Sequence, residues 1–441
     1  MSVNEPNVTQ RYLNPLDIYL LPGYAIEVFA QGLNAPISMV FDENGDIIVG
    51  ESGELDGNAR VMRLTKNGYE VIAEGFNVPL TGVNILNGDI YVTHDSVITV
   101  IKADGTKLNL LTGLPTKGDN KCSQVVFGTD GKMYFGIGAA TNSGVVGMDN
   151  FWVAQYPLFR DFPAEDIKLT GKNFVTYNFL SYSPNDYAFT GAFRPFGLPT
   201  SPNAMAYASL RPTSSILRAD LDGANLEMYA WGITLPYGLN FDRFNRLYTT
   251  NNGYDDRGSR PIKDSPDEFL LIKQGVWYGF PDYTAGLPVT LPQFRPDVGP
   301  QPEFLMAEHP MIPPKPLTVI EPHSGARGFD FNYNCDFGPY GDAYVAESGS
   351  ISPISTGGYP LPGVGRRILR INMEDGSESV FAINRSGLGA SFTEGGGFER
   401  PWDVVFGPDG AMYVLDYGIS IPMNPNFTLP NTGVIWKISK S

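Results

Sequence analysis

Cysteine and histidine are nearly missing from this sequence, which holds two of the first and three of the second in 441 residues. Cys122 and Cys335 cannot form a disulfide framework and offer no paired metal spacing, so the fold does not rest on crosslinks. No apolar run approaches the ~18 residues of a membrane helix, and the N-terminus lacks the basic start and long apolar stretch of a secretion leader. The sequence thus predicts no membrane span and, taken alone, a cytoplasmic location. Basic residues are short as well, with 31 Lys and Arg against 47 Asp and Glu and a net charge of −16. Such a field repels phosphate backbones and anionic lipid, which argues against nucleic acid and leaves small neutral polar molecules, cations or basic proteins as the easier partners.

Glycine, proline and aromatic residues are plentiful: 50 Gly, 36 Pro, 27 Phe, 23 Tyr and 5 Trp. This combination supplies a large core and many turns, and it favours an all-β protein over a helical bundle. Six segments share one grammar of apolar strand, tight turn, apolar strand: 36 to 52, 79 to 95, 122 to 138, 236 to 253, 326 to 349 and 401 to 418. Asn44-Gly45, Asn87-Gly88, Asp130-Gly131 and Asp409-Gly410 are the dipeptides that a two-residue hairpin turn requires. Gly45, Gly88 and Gly131 recur every 43 residues, the length of a four-stranded propeller blade. After the motifs come third strands such as ARVMRLT, SVITVIK, SILRADL, RRILRIN and VIWKISK, and then fourth strands, YEVIAEGF, KLNLLTGL, LEMYAWGI and SVFAINR. The chain opens with a fourth-type strand, YAIEVFAQGL, and ends on a third-type one. The expectation is therefore one domain from residue 23 to 441, a six-bladed β-propeller whose N-terminal strand completes the C-terminal blade. Residues 1 to 22 read as an extended arm.

Two interruptions break the period, at about 145 to 213 in the third blade and about 254 to 315 in the fourth and fifth. Long aperiodic loops are commonly lids or packing collars. In a propeller, the loops leading into the inner strands share one rim with those leaving the second strands. That rim collects Asp119, Asn120, His323, Arg327, Arg400 and Trp402 from the first set and Glu51, His94, Asn251, Asp255, Arg257, Glu347 and Asp416 from the second. Charged, amide and aromatic groups converging on one concavity suit a hydroxyl-rich or ionic small ligand. His94 and His323 are candidate bases for an alcohol proton, while His309 reads as loop. The acidic stretches at 251 to 256 and 264 to 269 carry the oxygen ligands that calcium takes, without the spacing of an EF-hand.

The phrases GLPTKGDNKCSQVVFGTDGKMYFGIG, AWGITLPYGLNFDRFNRLYTTNNG, DEFLLIKQGVWYGFPDY and RPWDVVFGPDGAMYVLDYG resemble the glucose/sorbosone dehydrogenase family, six-bladed propellers that oxidise aldoses with pyrroloquinoline quinone (PQQ) and calcium. The resemblance implies that the backbone carbonyls of Gly253 and Tyr254 hold the cofactor's calcium and that Asp267, Glu268 and Tyr278 belong to a second, structural calcium site. It makes Asp119 the aspartate before the catalytic base. Asn120 stands where the base itself belongs, and an amide accepts no proton at neutral pH. Thr234 and Leu235 replace the family's Arg-Asn pair, which removes a cation from cofactor and substrate. Asn120, Thr234, Arg327, Arg400 and Trp402 are then the cofactor-facing set, with Asp119, His94 or His323 as substitute base. Relatives of this kind often act outside the cytoplasm. Two functions stay open at this point: a PQQ- and calcium-dependent sugar or alcohol dehydrogenase, and a catalytically silent propeller that binds a ligand, a glycan or another protein.

Overall fold

The protein's computed structural model describes residues 11–65, 68–181, 183–350, 363–421 and 424–441. Six four-stranded antiparallel units follow one another around a ring. Blade one is Pro36–Phe41, Ile47–Glu51, Ala59–Thr65 and Gly68–Phe76; blade two is Leu80–Leu86, Asp89–His94, Val97–Ile101 and Lys107–Leu111. Blade three comprises Val126–Phe127, Lys132–Ile137, Ser215–Asp220 and Glu227–Trp231. Blade four comprises Pro236–Phe241, Leu247–Asn251, Asp267–Ile272 and Thr318–Ile320. Blade five is Ala326–Phe331, Ala343–Glu347, Arg367–Ile371 and Glu378–Asn384. Blade six joins Pro401–Phe406, Met412–Asp416 and Gly433–Lys440 to Tyr24–Leu33, which runs antiparallel to the last strand from Tyr24↔Lys440 to Leu33↔Gly433. The ring thus closes on strands from opposite ends of the chain, which leaves no sheet edge open between first and last blade.

Side chains on the inner strands tie each blade to the next. Ser38 Oγ accepts from the Val83 amide (3.2 Å), Asn84 Nδ2 donates to the Val125 carbonyl (2.8 Å), and Gln124 Nε2 donates to the Leu239 carbonyl (3.3 Å). Asn240 Nδ2 donates to Asp330 Oδ1 (3.1 Å), Asp330 Oδ2 accepts from the Phe406 amide (2.9 Å), and Asp403 Oδ2 accepts from the Met39 amide (3.1 Å), which completes the circuit. Burial is the first cause that raises the Asp330 carboxyl to about 6 and the Asp403 carboxyl to about 7, against the backbone donors that hold them. Blades approach closely here. A Cβ on Gly82 would stand 2.4 Å from Gln124 Cα, and one on Gly238 would stand 2.4 Å from the Arg327 carbonyl, so these two positions require glycine. Between blades, apolar faces interdigitate. Ile48, Val61, Leu80 and Val92 fill the space between blades one and two, and Tyr248, Phe269, Phe329 and Val345 that between blades four and five.

The turns differ from the sequence expectation. Only Asn87-Gly88 forms a two-residue turn with both residues at positive φ (52° and 81°), between Leu86 and its partner Asp89. Blades one, three and six pair Phe41 with Ile47, Phe127 with Met133 and Phe406 with Met412, leaving five residues in each loop. In blade one Asp42 Oδ1 accepts from the amides of Asn44 (2.9 Å) and Asp46 (3.0 Å), and only the glycine is left-handed. The second interruption also lies elsewhere than expected: Asp267–Ile272 is the third strand of blade four and Thr318–Ile320 its fourth, so both inserted stretches belong to that blade. Of the N-terminal arm, the first ten residues lie outside the described ones. Ile18–Leu20 pairs with Asn384 to Ala382 as a fifth strand of blade five, and Arg11 is anchored by Asp416 at 2.8 Å.

The two insertions pack on each other. Val145, Ile167, Leu169 and Phe193 from the first share one cluster with Tyr254, Ile262, Trp277, Phe280 and Leu305 from the second. This collar sits on the side of blades three and four and builds the wall of the site.

Candidate functional site at the propeller mouth

A cavity of about 330 Å³ opens where the collar meets the ring. Its wall includes Asp119, Asn120, Thr234, Gly253, Tyr254, Asp267, His323 and Arg327, eight residues singled out by the sequence. Blade three's inbound loop supplies Asp119 and Asn120, and the loop that leaves the second strand of blade four supplies Gly253 and Tyr254. His323 and Arg327 come from the start of blade five. His94, Glu268, Tyr278, Arg400 and Trp402 do not line it.

His94 is the clearest correction. It ends the second strand of blade two, buried, with Nδ1 accepting from the Asn77 amide (3.0 Å) and Nε2 against Thr99 Oγ1 (2.7 Å). Burial pushes it down to about 4. Both ring nitrogens serve the blade. The same register position does the same task elsewhere: Glu51 Oε1 accepts from the Asn34 amide (2.7 Å), Asn251 Oδ1 from the Leu235 amide (2.8 Å), and Asp416 from the amides of Glu399 (2.7 Å) and Arg400 (3.1 Å). These second-strand ends clasp the inbound loop of their own blade, and Glu51, His94, Asn251 and Asp416 are structural for that reason.

Inside the cavity the charges are linked. Arg257 Nη1 reaches Asp119 Oδ2 at 2.8 Å and also Asp149, and its Nε lies 3.3 Å from Asp255 Oδ2. Burial works to lower the Arg257 guanidinium, and the carboxylates of Asp119, Asp255 and Asp149 together raise it above its ordinary value. Burial lifts Asp149 to about 6. Asp119 also accepts from Asn150 Nδ2 (3.0 Å) and Trp152 Nε1 (2.8 Å), so its oxygens are heavily engaged. His323 meets this clamp at Asp255. Its Nδ1 lies 3.3 Å from Asp255 Oδ1, and that contact raises its pKa above 6.5. With Nδ1–H donated to the carboxylate, Nε2 of the neutral ring is the acceptor. Asn120 donates its amide to the Ala139 carbonyl at 3.1 Å.

The residues of the expected calcium sites divide into two kinds. Asp267 accepts from Asn252 Nδ2 (2.9 Å), the Gly253 amide (2.9 Å), Ser324 Oγ (3.1 Å) and the Ala326 amide (2.8 Å). Glu268 accepts from Asn251 Nδ2 (2.6 Å) and the Ala285 amide, and Tyr278 donates to the Leu271 carbonyl (2.8 Å). Asp267 and Glu268 are sequence neighbours on one strand, so they point to opposite faces. Among the described residues no group of three or more His, Cys, Asp or Glu is placed to hold a metal ion. The carbonyls of Gly253 and Tyr254 differ: no donor among the described residues claims either oxygen. At the cavity wall Arg327 lies over the rings of Tyr237 (4.9 Å) and Trp402 (4.5 Å), and behind it Arg400 lies over Trp402 (4.9 Å) and Tyr417 (5.1 Å). Neither arginine forms a carboxylate pair among the described residues, and Arg400 Nε is buried without a partner. Burial, with Arg327 and Arg366 nearby, pushes Arg400 down to about 10.

Sequence reading missed Asp149, Phe151, Ser265, Gly325, Gly349 and Ser350, which complete the wall. Asp149 lies in the aperiodic first insertion, where no repeat marks a position as facing the axis. The serines and glycines carry no chemical signal of their own.

No protein-family model matches the sequence, and no curated protein matches it. Solved structures do. An AA12-family carbohydrate-active enzyme of Trichoderma reesei superposes over 100% of both chains with a TM-score of 0.60 at 17% identity. The PQQ domain of pyranose dehydrogenase from Coprinopsis cinerea, in its holo form, covers 98% of each chain with a TM-score of 0.59 at 15% identity. PQQ-bound aldose sugar dehydrogenase from Streptomyces coelicolor covers 96% of this chain and 100% of its own, with a TM-score of 0.51 at 14% identity. Over essentially its whole length the chain has the six-bladed propeller fold of these sugar dehydrogenase and AA12 structures.

Proposed function

We propose that the protein oxidises a neutral sugar or polyol in this cavity with a calcium-bound quinone of the PQQ type, and that His323 is its base. The observation that carries the reading is a histidine oriented by Asp255 that shares one cavity with the unclaimed carbonyls of Gly253 and Tyr254 and with Arg327. Those two carbonyl oxygens suit a hard cation such as calcium. Arg327 at the wall, with Arg400 behind it and its Nε buried without a partner, suits an anionic quinone and charge developing on its oxygens. The second, structural calcium finds no such support, since the oxygens of Asp267 and Glu268 are already taken by hydrogen bonds.

When bound, the quinone supplies the acceptor for the hydride that leaves the carbinol carbon. The chain's task is the proton. Neutral His323 accepts it from the hydroxyl at Nε2, and Asp255 stabilises the imidazolium that results. Asp119 is a poor alternative because Arg257, Asn150 and Trp152 hold its oxygens. Asn142, lining the same cavity, donates to the Asp255 carbonyl (2.8 Å) and accepts from the Asp255 amide (2.8 Å), which fixes the loop that orients His323.

Loading the purified protein with calcium and PQQ, then following quinone absorbance and dye reduction against aldoses and polyols, tests the reading. Saturable quinone binding with turnover is expected; failure to bind the quinone would end it. A second reading, a silent sugar-binding propeller, is favoured by Asn120, an amide at the position where the resemblance puts the base. Sugar binding without turnover by quinone-loaded protein would select it.

A further inference from the structure

The first insertion carries a surface that the chemistry above does not use. Of the twenty residues from 173 to 192, six are aromatic and only Asp186 is charged, in a chain that is 12% aromatic and 18% charged. They form a hairpin of Asn173–Tyr177 and Tyr187–Gly191, in which Tyr177 faces Tyr187 and Val175 faces Phe189. Alternation along the strands puts these four side chains on one face. Val175, Tyr187 and Phe189 are 58%, 57% and 53% exposed, whereas Ala188 and Thr190 on the other face are buried. Beside the exposed face runs a groove of about 580 Å³ whose wall includes Asn178, Leu180, Tyr187, Phe189 and Phe196. None of its described lining residues is charged. The hairpin is fixed to the site: Phe174 packs against the cluster that contains Tyr254, and the Phe193 amide donates to the Gly144 carbonyl at 3.1 Å.

Exposed aromatic faces grouped this way mark a binding surface. The chemistry of the face narrows its ligand. A net charge of −16 with no cation on the platform gives an anionic polymer or anionic lipid nothing to hold. A membrane-inserting face joins apolar residues to Lys and Arg, whereas this one mixes rings with Asn, Thr and Ser. Aromatic faces stack on the C–H faces of pyranose rings, and amides and hydroxyls between them exchange hydrogen bonds with sugar hydroxyls. We propose that this hairpin and its groove, which share no lining residue with the cavity, are a docking platform for a neutral polysaccharide or its oligomers. The choice of ligand rests on the sugar-oxidising reading of that cavity, but its binding is measurable without turnover.

The test is affinity electrophoresis of the full chain in gels containing hydroxyethyl cellulose, galactomannan or soluble starch. Retardation is expected in at least one of the three. A Tyr187→Ala/Phe189→Ala double variant, whose exposed positions leave the core intact by circular dichroism, should bind that polymer about tenfold more weakly, the loss of ~1.4 kcal/mol. His323→Ala should keep the retardation, and the double variant should keep monosaccharide turnover. No retardation in any gel, or unchanged retardation of the double variant, overturns the platform and leaves the cavity reading standing. Binding to uncharged phosphatidylcholine vesicles that is lost in the double variant, with no polysaccharide binding, would also overturn it and assign the face to lipid.

Discussion

Blades two and four follow one plan and differ in what happens after the second strand. In blade two, His94 pairs with Val97 across an immediate turn, and the side chain folds back into its own sheet to clasp Asn77. In blade four the equivalent Asn251 clasps Leu235 in the same way, but the chain then runs fifteen residues before the third strand begins at Asp267. That excursion carries Gly253, Tyr254, Asp255 and Arg257 to the cavity. The clasp belongs to the repeat, and the site belongs to what interrupts it. Two histidines that share a rim in the sequence therefore have opposite fates: His94 is absorbed into a regular blade, and His323 faces open space beside an interrupted one.

The largest effect that this contrast predicts is on turnover. In the quinone-loaded protein His323→Gln should lower kcat by about 10²–10⁴-fold, the usual cost of a lost general base, with folding intact. His94→Gln should leave kcat within a few-fold. Equal losses in steady-state dye reduction would erase the distinction between the two histidines.

The second effect is on stability and belongs to His94. Its folded pKa of about 4 lies below the ordinary 6.5, so the unfolded chain binds more protons between those values. The stability that neutral His94 contributes is fully present above about pH 6.5 and is lost as pH falls toward 4. The difference in urea unfolding free energy between wild type and His94→Gln should shrink by about 2 kcal/mol between pH 7 and pH 4.5. A difference that stays constant with pH would mean that the ring is not held neutral.

Glycine at the inner strand should cost both blades alike. Gly82→Ala drives a Cβ into Gln124 and Gly238→Ala into the Arg327 carbonyl, each at 2.4 Å. Each should destabilise by about 1–3 kcal/mol, as overpacking does, in chemical denaturation. Only Gly238→Ala, through the backbone of Arg327, should also weaken quinone binding.

How much of this was legible depends on the period. The six blades and the terminal closure follow from turn glycines 43 residues apart and from strand types at each end, and both are present. The third strand of blade four, Asp267–Ile272, was hidden because the insertion before it removes the spacing that marks its counterparts. Asn-Gly and Asp-Gly alone do not fix the turn, because the loop's first residue also decides its length. Asp42 and Asp242 each accept from the amides two and four residues on, a five-residue loop with its own signature. The clasp was legible in principle: Glu51, His94, Asn251 and Asp416 stand at one register and all accept hydrogen bonds, a regularity that a catalytic residue present once would not produce. Asp149 had no such signal.

The smallest effect sharpens the comparison most, because it concerns one hydrogen bond. The contact of Asp255 with His323 Nδ1 is the first cause of that histidine's raised pKa. A base must be neutral, so the acid limb of kcat/KM should lie above pH 6.5, with rate falling as His323 protonates. Asp255→Asn removes the carboxylate that favours the imidazolium, and the limb should move toward acid. The plateau above it should drop, since the imidazolium formed on proton transfer loses its partner. A limb that stays in place while the plateau drops would mean that Asp255 acts through the Arg257 clamp, and that the titrating base is a group other than His323.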